Sequence, residues 1–274
     1  MNVFSPEIAA RALVPKDLLG QASSLHFALH VHKNFVAASL AEAAGGDFHW
    51  SGDFPIEDAG GSFENALHFI RERNWSEKVF RKFTLSFDTT EFTLVPTAFF
   101  QKEKEKQLLE FNTGTVGGLI ESMEIPELDA VMIYSVDEHI RELTARFPNA
   151  RIFPSAALFA KYAYAQSDRT EKEFHIYHTP GFMLLAVMQG KKLLLLNHYP
   201  VHTDEDILYY TSNAALRLDL DMENTRVRLY EMPLREYLEN LFSHYSTNVK
   251  HVFKSDAGEK HQASFISHLH ILCA

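Results

Sequence analysis

The strongest constraint on this chain is an order of elements that occurs twice. Residues 25–31 alternate apolar and polar side chains with a period of two; His32-Lys33-Asn34 makes a turn, and residues 35–40 resume as a strand. Two such runs around a short polar turn predict a β-hairpin. A third strand is expected at 47–50, a loop at 53–61 and a helix at 62–70 with Ser62 as its N-cap. Strands at 79–87 and 92–95 follow. Then come a charged helix at 101–111, a loop at 114–118, a buried strand at 129–136 and an amphipathic helix at 137–147. The order then repeats. A short strand at 151–153 and a helix at 155–166 lead to three hairpin-linked strands at 173–177, 182–188 and 192–197. Thr203 caps a long helix running to near Leu220. A strand at 227–230, a helix at 234–246 and a last strand at 249–253 complete the order. Residues 262–273 fit neither period.

Antiparallel strands followed by helix–strand alternation give a mixed sheet with helices packed on it. The expectation is therefore α/β: two domains, 24–148 and 149–274, each a mixed five-stranded sheet with a leading antiparallel hairpin and flanking helices. Residues 1–23 form a helical extension before them. The length of 274 residues suits two domains.

Composition narrows the function classes. With 26 Lys+Arg against 36 Asp+Glu the net charge is −10, which disfavours nucleic acid and anionic membrane as partners. The single cysteine, Cys273, cannot form an intrachain disulfide. Residues 1–20 lack a secretory signal, and no apolar run can span a bilayer, so the expected location is cytoplasmic, without membrane insertion.

The doubled order resembles the plan of the actin-like ATPase superfamily, of ribonuclease H-like fold. Two local stretches carry the resemblance further. Phe92-Thr93-Leu94-Val95-Pro96 before a charged helix is similar to an element of the chaperone ATPases. Pro154-Ser155-Ala156-Ala157, followed by Tyr162, is similar to their interdomain element. More closely, Leu94-Val95-Pro96, residues 193–210 and the terminal cysteine resemble a bacterial family of unknown function within that superfamily. The resemblance covers about residues 24–274.

What the superfamily needs is two Asp- and Gly-bearing hairpin turns around the phosphates and a Gly-Gly turn for adenosine. Glycines let backbone N–H groups approach the phosphates, and acids order hydrated Mg²⁺. The matching positions here are His32, Lys33 and Asn34 in the first turn, and His178, Thr179 and Gly181 in the second. Tyr230 and Glu231 stand in the third. Imidazole is a poor ligand for a hard cation. A phenol and a carboxylate would fill the adenosine slot and repel an anion. The resemblance thus implies a degenerate site, with no cofactor and no catalytic residues: a pseudo-ATPase acting as an interaction or scaffold protein through a protein partner or self-association. The alternatives are a divergent ATP-binding protein, weak ATPase or kinase built on Lys33, Asp88 and the histidines, and a metal-dependent enzyme.

The metal alternative rests on His26, His30 and His32, which share one strand parity. His30-x-His32 is a zinc-chelating spacing, with His178 facing it across the cleft. No close carboxylate or cysteine completes that set, and a wall of unliganded imidazoles explains it equally. Other clusters have plainer readings. Thr203-Asp204-Glu205-Asp206 is a helix cap with acids in the first turn. Asp88 and Glu91 are a solvated turn. Tyr162, Tyr164, Tyr209 and Tyr210 are helix packing residues, and Cys273 lacks the context of a nucleophile.

Overall fold

A computed structural model describes residues 20–32, 35–44, 48–55, 80–145, 147–179, 181–230, 236–253 and 265–273. The expected helix at 62–70 and nearly all of the N-terminal extension lie outside them, as do Lys33, Asn34 and Glu231. Within 1–23, a 3-10 turn begins at Ala22.

Two five-stranded mixed sheets form the frame. The first contains β1 (Leu25–Val31), β2 (Phe35–Glu42), β3 (Phe48–Pro55), β4 (Lys82–Phe87) and β8 (Arg151–Pro154), in the order β3-β2-β1-β4-β8. β1, β2 and β3 are antiparallel, while β4 and β8 run parallel to β1. The second repeats the plan with β9 (Lys172–Thr179), β10 (Phe182–Gln189), β11 (Lys192–Tyr199), β12 (Arg226–Tyr230) and β13 (Val249–Phe253), in the order β11-β10-β9-β12-β13. The expected fold class is therefore present. β8 closes the first sheet with residues that the sequence reading assigns to the second domain. Strand β3 also runs to Pro55, into the stretch expected to be a loop.

A small antiparallel sheet is inserted between β4 and β8. It pairs β5 (Phe92–Pro96), β7 (Ala130–Val136) and β6 (Leu119–Ile125) in the order β5-β7-β6, and α1 (Glu105–Thr113) packs on it. The sequence reading contains no strand at 119–125. With Glu121 and Glu124 on a mostly solvated edge, β6 carries little of the apolar signal that marks a strand. Helix α2 (Glu138–Ala145) then leads into β8, and Asp137 accepts a hydrogen bond from the Ile140 N–H at 2.8 Å as its cap.

Two helices join the sheets. α3 (Ser155–Gln166) follows β8, and α6 (Phe265–Cys273) occupies the stretch whose periodicity was indecisive. Both bury most of their residues in a core that takes side chains from both sheets: Leu158 and Phe159 of α3, Phe265 and Leu269 of α6, Phe27 and Leu85 of the first sheet, Tyr177 and Tyr230 of the second. A helix buried on most sides loses the 3.6-residue polar stripe, which is why α6 escapes a periodicity reading. A second cluster lies on the outer side of the second sheet. It is covered by α4 (Asp204–Arg217) and α5 (Glu236–Ser243), through Ile207, Ala214, Leu238 and Phe242.

Candidate functional site

The sheet geometry brings β1 and β4 side by side in parallel register, so that His26, His30 and His32 share a face with Thr84, Ser86 and Asp88. Parallel strands present their functional groups at their C-terminal ends. There, the end of β1 and the residue after β4 meet the β9–β10 turn. The result is a cavity of about 360 Å³ lined by His32, Asp88, Glu91, Asp137, Phe182 and His198 among others. Gly181, with φ +82°, lines it as well and supplies the left-handed backbone the turn needs.

Asp88 is the centre of this site and not the solvated turn residue expected from its neighbours. Its side chain is only 11% exposed. The Ser155 hydroxyl, at the start of α3, donates to Oδ1. Oδ2 lies 3.4 Å from His30 Nε2 and 3.7 Å from His32 Nε2. Burial opposes ionisation of Asp88, but the two imidazoles and the Ser155 hydroxyl outweigh it and hold the carboxyl below its ordinary value.

From Asp88 a buried hydrogen-bond relay runs inward. His30 Nδ1 meets Ser86 Oγ at 2.8 Å, Ser86 Oγ meets His270 Nε2 at 2.6 Å, His270 Nδ1 meets Thr84 Oγ1 at 2.8 Å, and Thr84 Oγ1 meets His26 Nε2 at 2.8 Å. One donor sense satisfies all four contacts: His26 Nε2–H donates to Thr84, Thr84 to His270 Nδ1, His270 Nε2–H to Ser86, and Ser86 to His30 Nδ1, leaving His30 Nε2 3.4 Å from Asp88. His26 and His270 are neutral in it. Burial, with the charges of Lys82 and Arg151, pushes His26 down to about 3; burial, with His30 and His26 facing it, pushes His270 well below the usual value. His26 is 1% exposed and Thr84, Ser86 and His270 are 0% exposed, so no substrate reaches Ser86 despite its Ser-His-Asp arrangement.

The second lobe holds a related buried group. The Tyr230 hydroxyl and His175 Nδ1 are 2.8 Å apart, and His175 Nε2 lies 3.2 Å from Glu173 Oε2 and 3.0 Å from Ser167 Oγ. Arg226 and Arg228 donate to Glu173 Oε1 at 2.7 and 2.8 Å. Burial of Glu173 is overcome by His175 and Arg228, which hold it at about 2. Tyr230 belongs to the core that takes side chains from both sheets. Its ring is fully buried, stacked 4.8 Å from Phe265 of α6 and edge-on to Phe159 and Tyr162 of α3.

His32 and Gly181 are the expected cleft positions that the fold brings together. His178 and Thr179 are buried on β9 and do not line the cavity, so His178 does not oppose His32 across it. Among the described residues no three His, Cys, Asp or Glu side chains converge in a geometry for a metal ion. Nδ1 of His30, a candidate ligand, is committed to Ser86. Thr203 and Asp206 form the expected reciprocal cap of α4. Of the helix tyrosines, Tyr162 packs in the core whereas Tyr209 is exposed. Burial raises the Cys273 thiol to about 11, which leaves it a poor nucleophile. The sequence reading missed Thr84, Ser86 and His270. The shared parity of Thr84, Ser86 and Asp88 beside the histidine strand is the signal that would have found the first two.

His32 stacks on Phe35 at 4.5 Å and meets Phe182 edge-on at 6.1 Å, while Phe182 stacks on His198 at 5.7 Å. Aromatic rings thus crowd the end of β1 and the β9–β10 turn. The described lining carries Asp88, Glu91 and Asp137 and neither Lys nor Arg. Three carboxylates repel a triphosphate, and Asp88 is already engaged by Ser155.

Comparison with known proteins places the fold. A Bacteroides thetaiotaomicron protein with actin-like ATPase fold and unknown function superposes with a TM-score of 0.78 at 15% identity, covering 93% of this chain and 98% of that one. A chain of the PilM-PilN type IV pilus biogenesis complex superposes with a TM-score of 0.52 at 10% identity, covering 90% and 97%. No curated protein matches the sequence. The two mixed five-stranded sheets with their inserted small sheet are the two-domain actin-like fold. Residues 21–249 match the family model described as "Protein of unknown function (DUF3822)", and the chain belongs to that family.

Proposed function

We propose that this chain is an actin-like protein that has given up Mg-ATP and works as an interaction or scaffold module. The observation that carries the reading is the cavity at the two hairpin ends, where the rings of His32, Phe35, Phe182 and His198 and three carboxylates stand against a phosphate cradle. The shared core supports it: α3 and α6 lock both sheets into one apolar cluster, which disfavours the opening that a nucleotide cycle between lobes requires. The charge of −10 favours protein partners over nucleic acid. Among the described residues no helix is long and apolar enough to cross a membrane, in keeping with action in the cytoplasm. One protein of the same fold, PilM, is known from a complex with PilN. On this reading the two lobes, with β8 in the first sheet, act as a rigid pair. Calorimetric titration of the full chain with ATP and Mg²⁺ tests the proposal. Silence up to millimolar nucleotide is expected, and micromolar binding overturns it.

A further inference from the structure

Beside the small cavity lies a much larger one, about 1210 Å³, between the small sheet and the second sheet. Its two long walls are strand edges. β11 is the outer strand of the second sheet and β5 an outer strand of the small sheet, and neither has a strand neighbour on its groove side among the described residues. The register fixes which backbone groups face in. β10 and β11 pair through Met183↔Tyr199, Leu185↔Asn197 and Val187↔Leu195. The β9–β10 turn spans two residues between Thr179 and Phe182, so the even residues of β10 bond to β9 and the odd ones to β11. That alternation turns the N–H and C=O of Leu196 and His198 toward the groove, as far as the register shift that leaves Leu194 without a partner on β10. The His198 N–H confirms the sense, because it donates to the Asn197 side chain at 2.9 Å instead of to β10.

The opposite wall follows the same rule. The Ser135 N–H donates to the Glu91 carbonyl at 2.9 Å, and the Thr97 N–H donates to the Asp129 carbonyl at 3.0 Å. The odd residues of β5 therefore bond to β7, and Phe92 and Leu94 turn their N–H and C=O groups into the groove. Pro96, at the next outward position, brings no donor.

Edge strands are ordinarily protected by charges, prolines or bulges. β11 has Lys192 at its start and a register shift opposite Val187/Met188, but between them and Asn197 run four consecutive half-buried leucines, Leu193 to Leu196. An apolar edge of that kind, with outward peptide groups, is a template for another strand.

We propose that this groove binds an extended segment of a partner protein. The segment adds as a sixth strand to β11, with apolar side chains at alternate positions against the leucines. The inference rests on the interaction-module reading and names its partner chemistry. The facing wall decides between occupants. Because β5 lines the far side, the groove presents two facing walls, which suit a single extended strand between them better than the folded sheet edge of a second copy. The repeated polar feature of the two walls is peptide N–H and C=O, which matches a peptide backbone better than a compact small molecule. The volume also exceeds the roughly 300–1,000 Å³ of ordinary ligand pockets.

The test uses the full chain and a displayed library of random linear 12-residue peptides. Selected peptides are expected to share apolar residues at period two. On binding they should slow hydrogen exchange at the Leu196 amide at least about tenfold. Leu196→Pro removes an inward donor and should weaken binding at least about tenfold. The exchange measurement on the unaltered chain stands even where that variant fails to fold. Failure to enrich any peptide, or enriched peptides that leave the Leu196 amide exchanging as before, overturns the proposal. Protection of that amide that rises with protein concentration alone assigns the edge to a second copy and overturns it too. The calorimetric titration reports separately. Silent calorimetry with no strand binding sinks only this proposal, and nucleotide binding with strand protection intact sinks only the pseudo-ATPase reading.

Discussion

Acid should unfold this protein earlier and more steeply than its carboxylates alone would dictate, because of the buried relay. The perturbation is a shift from pH 7 to pH 5. His26 is held at about 3 in the folded chain against 6.5 in a free side chain. A histidine whose folded value is depressed leaves the unfolded chain binding more protons below pH 6.5, so stability is full above 6.5 and falls as pH drops toward 3. For His26 alone the loss is about 1.4 kcal/mol per pH unit in that window, or about 2 kcal/mol by pH 5. His270, pushed well below its usual value by burial, and His175, lowered by burial in spite of Glu173, add losses of the same sign. The relay makes this hard to relieve. A second proton on His270 makes Nδ1 a donor toward Thr84, which already accepts from His26, so one hydroxyl proton is left without an acceptor. Asp88 and Glu173, both held below their ordinary 3.8 and 4.5, withdraw their contributions only at still lower pH. Against a typical total of about 5–15 kcal/mol, the His26 loss alone is a sizeable fraction by pH 5. Urea unfolding midpoints at half-unit steps from pH 7.5 to 4.5 read this directly. The variant His26→Asn should flatten the slope between pH 6 and 5 by about 1.4 kcal/mol per unit. A stability constant from pH 7 to 5, or an unchanged slope in the variant, refutes the buried neutral relay.

Two further outcomes follow from single positions. Gly190, at φ +57° in the β10–β11 turn, has no room for a side chain, since a Cβ there would lie 2.5 Å from the Arg169 carbonyl oxygen. Gly190→Ala should cost about 1–3 kcal/mol in a urea titration, and an unchanged midpoint contradicts the turn geometry. Tyr230→Phe keeps the ring on Phe265 but leaves His175 Nδ1 without its hydroxyl partner. A loss of about 1–3 kcal/mol is expected by thermal melting, whereas a neutral or stabilising effect shows that the bond is not made.

The strands were legible where local periodicity governs. The histidine strand, the hairpins on either side of Gly181 and Gly190, the Thr203 cap and the helix at Ser155–Gln166 all show in side-chain alternation and turn residues a few positions apart. The doubled order of such elements is enough to specify two mixed sheets. What tertiary structure alone decided is which polar groups meet. His270 joins Thr84 across 186 positions of sequence, Asp88 is buried by Ser155 at the head of a helix 67 positions later, and Tyr230 turns into the core because α6 supplies Phe265 to cover it. Local alternation says that a side chain faces one side of a sheet. It cannot say what packs on that side, and a buried histidine, an acid or a strand edge takes its chemistry from that partner.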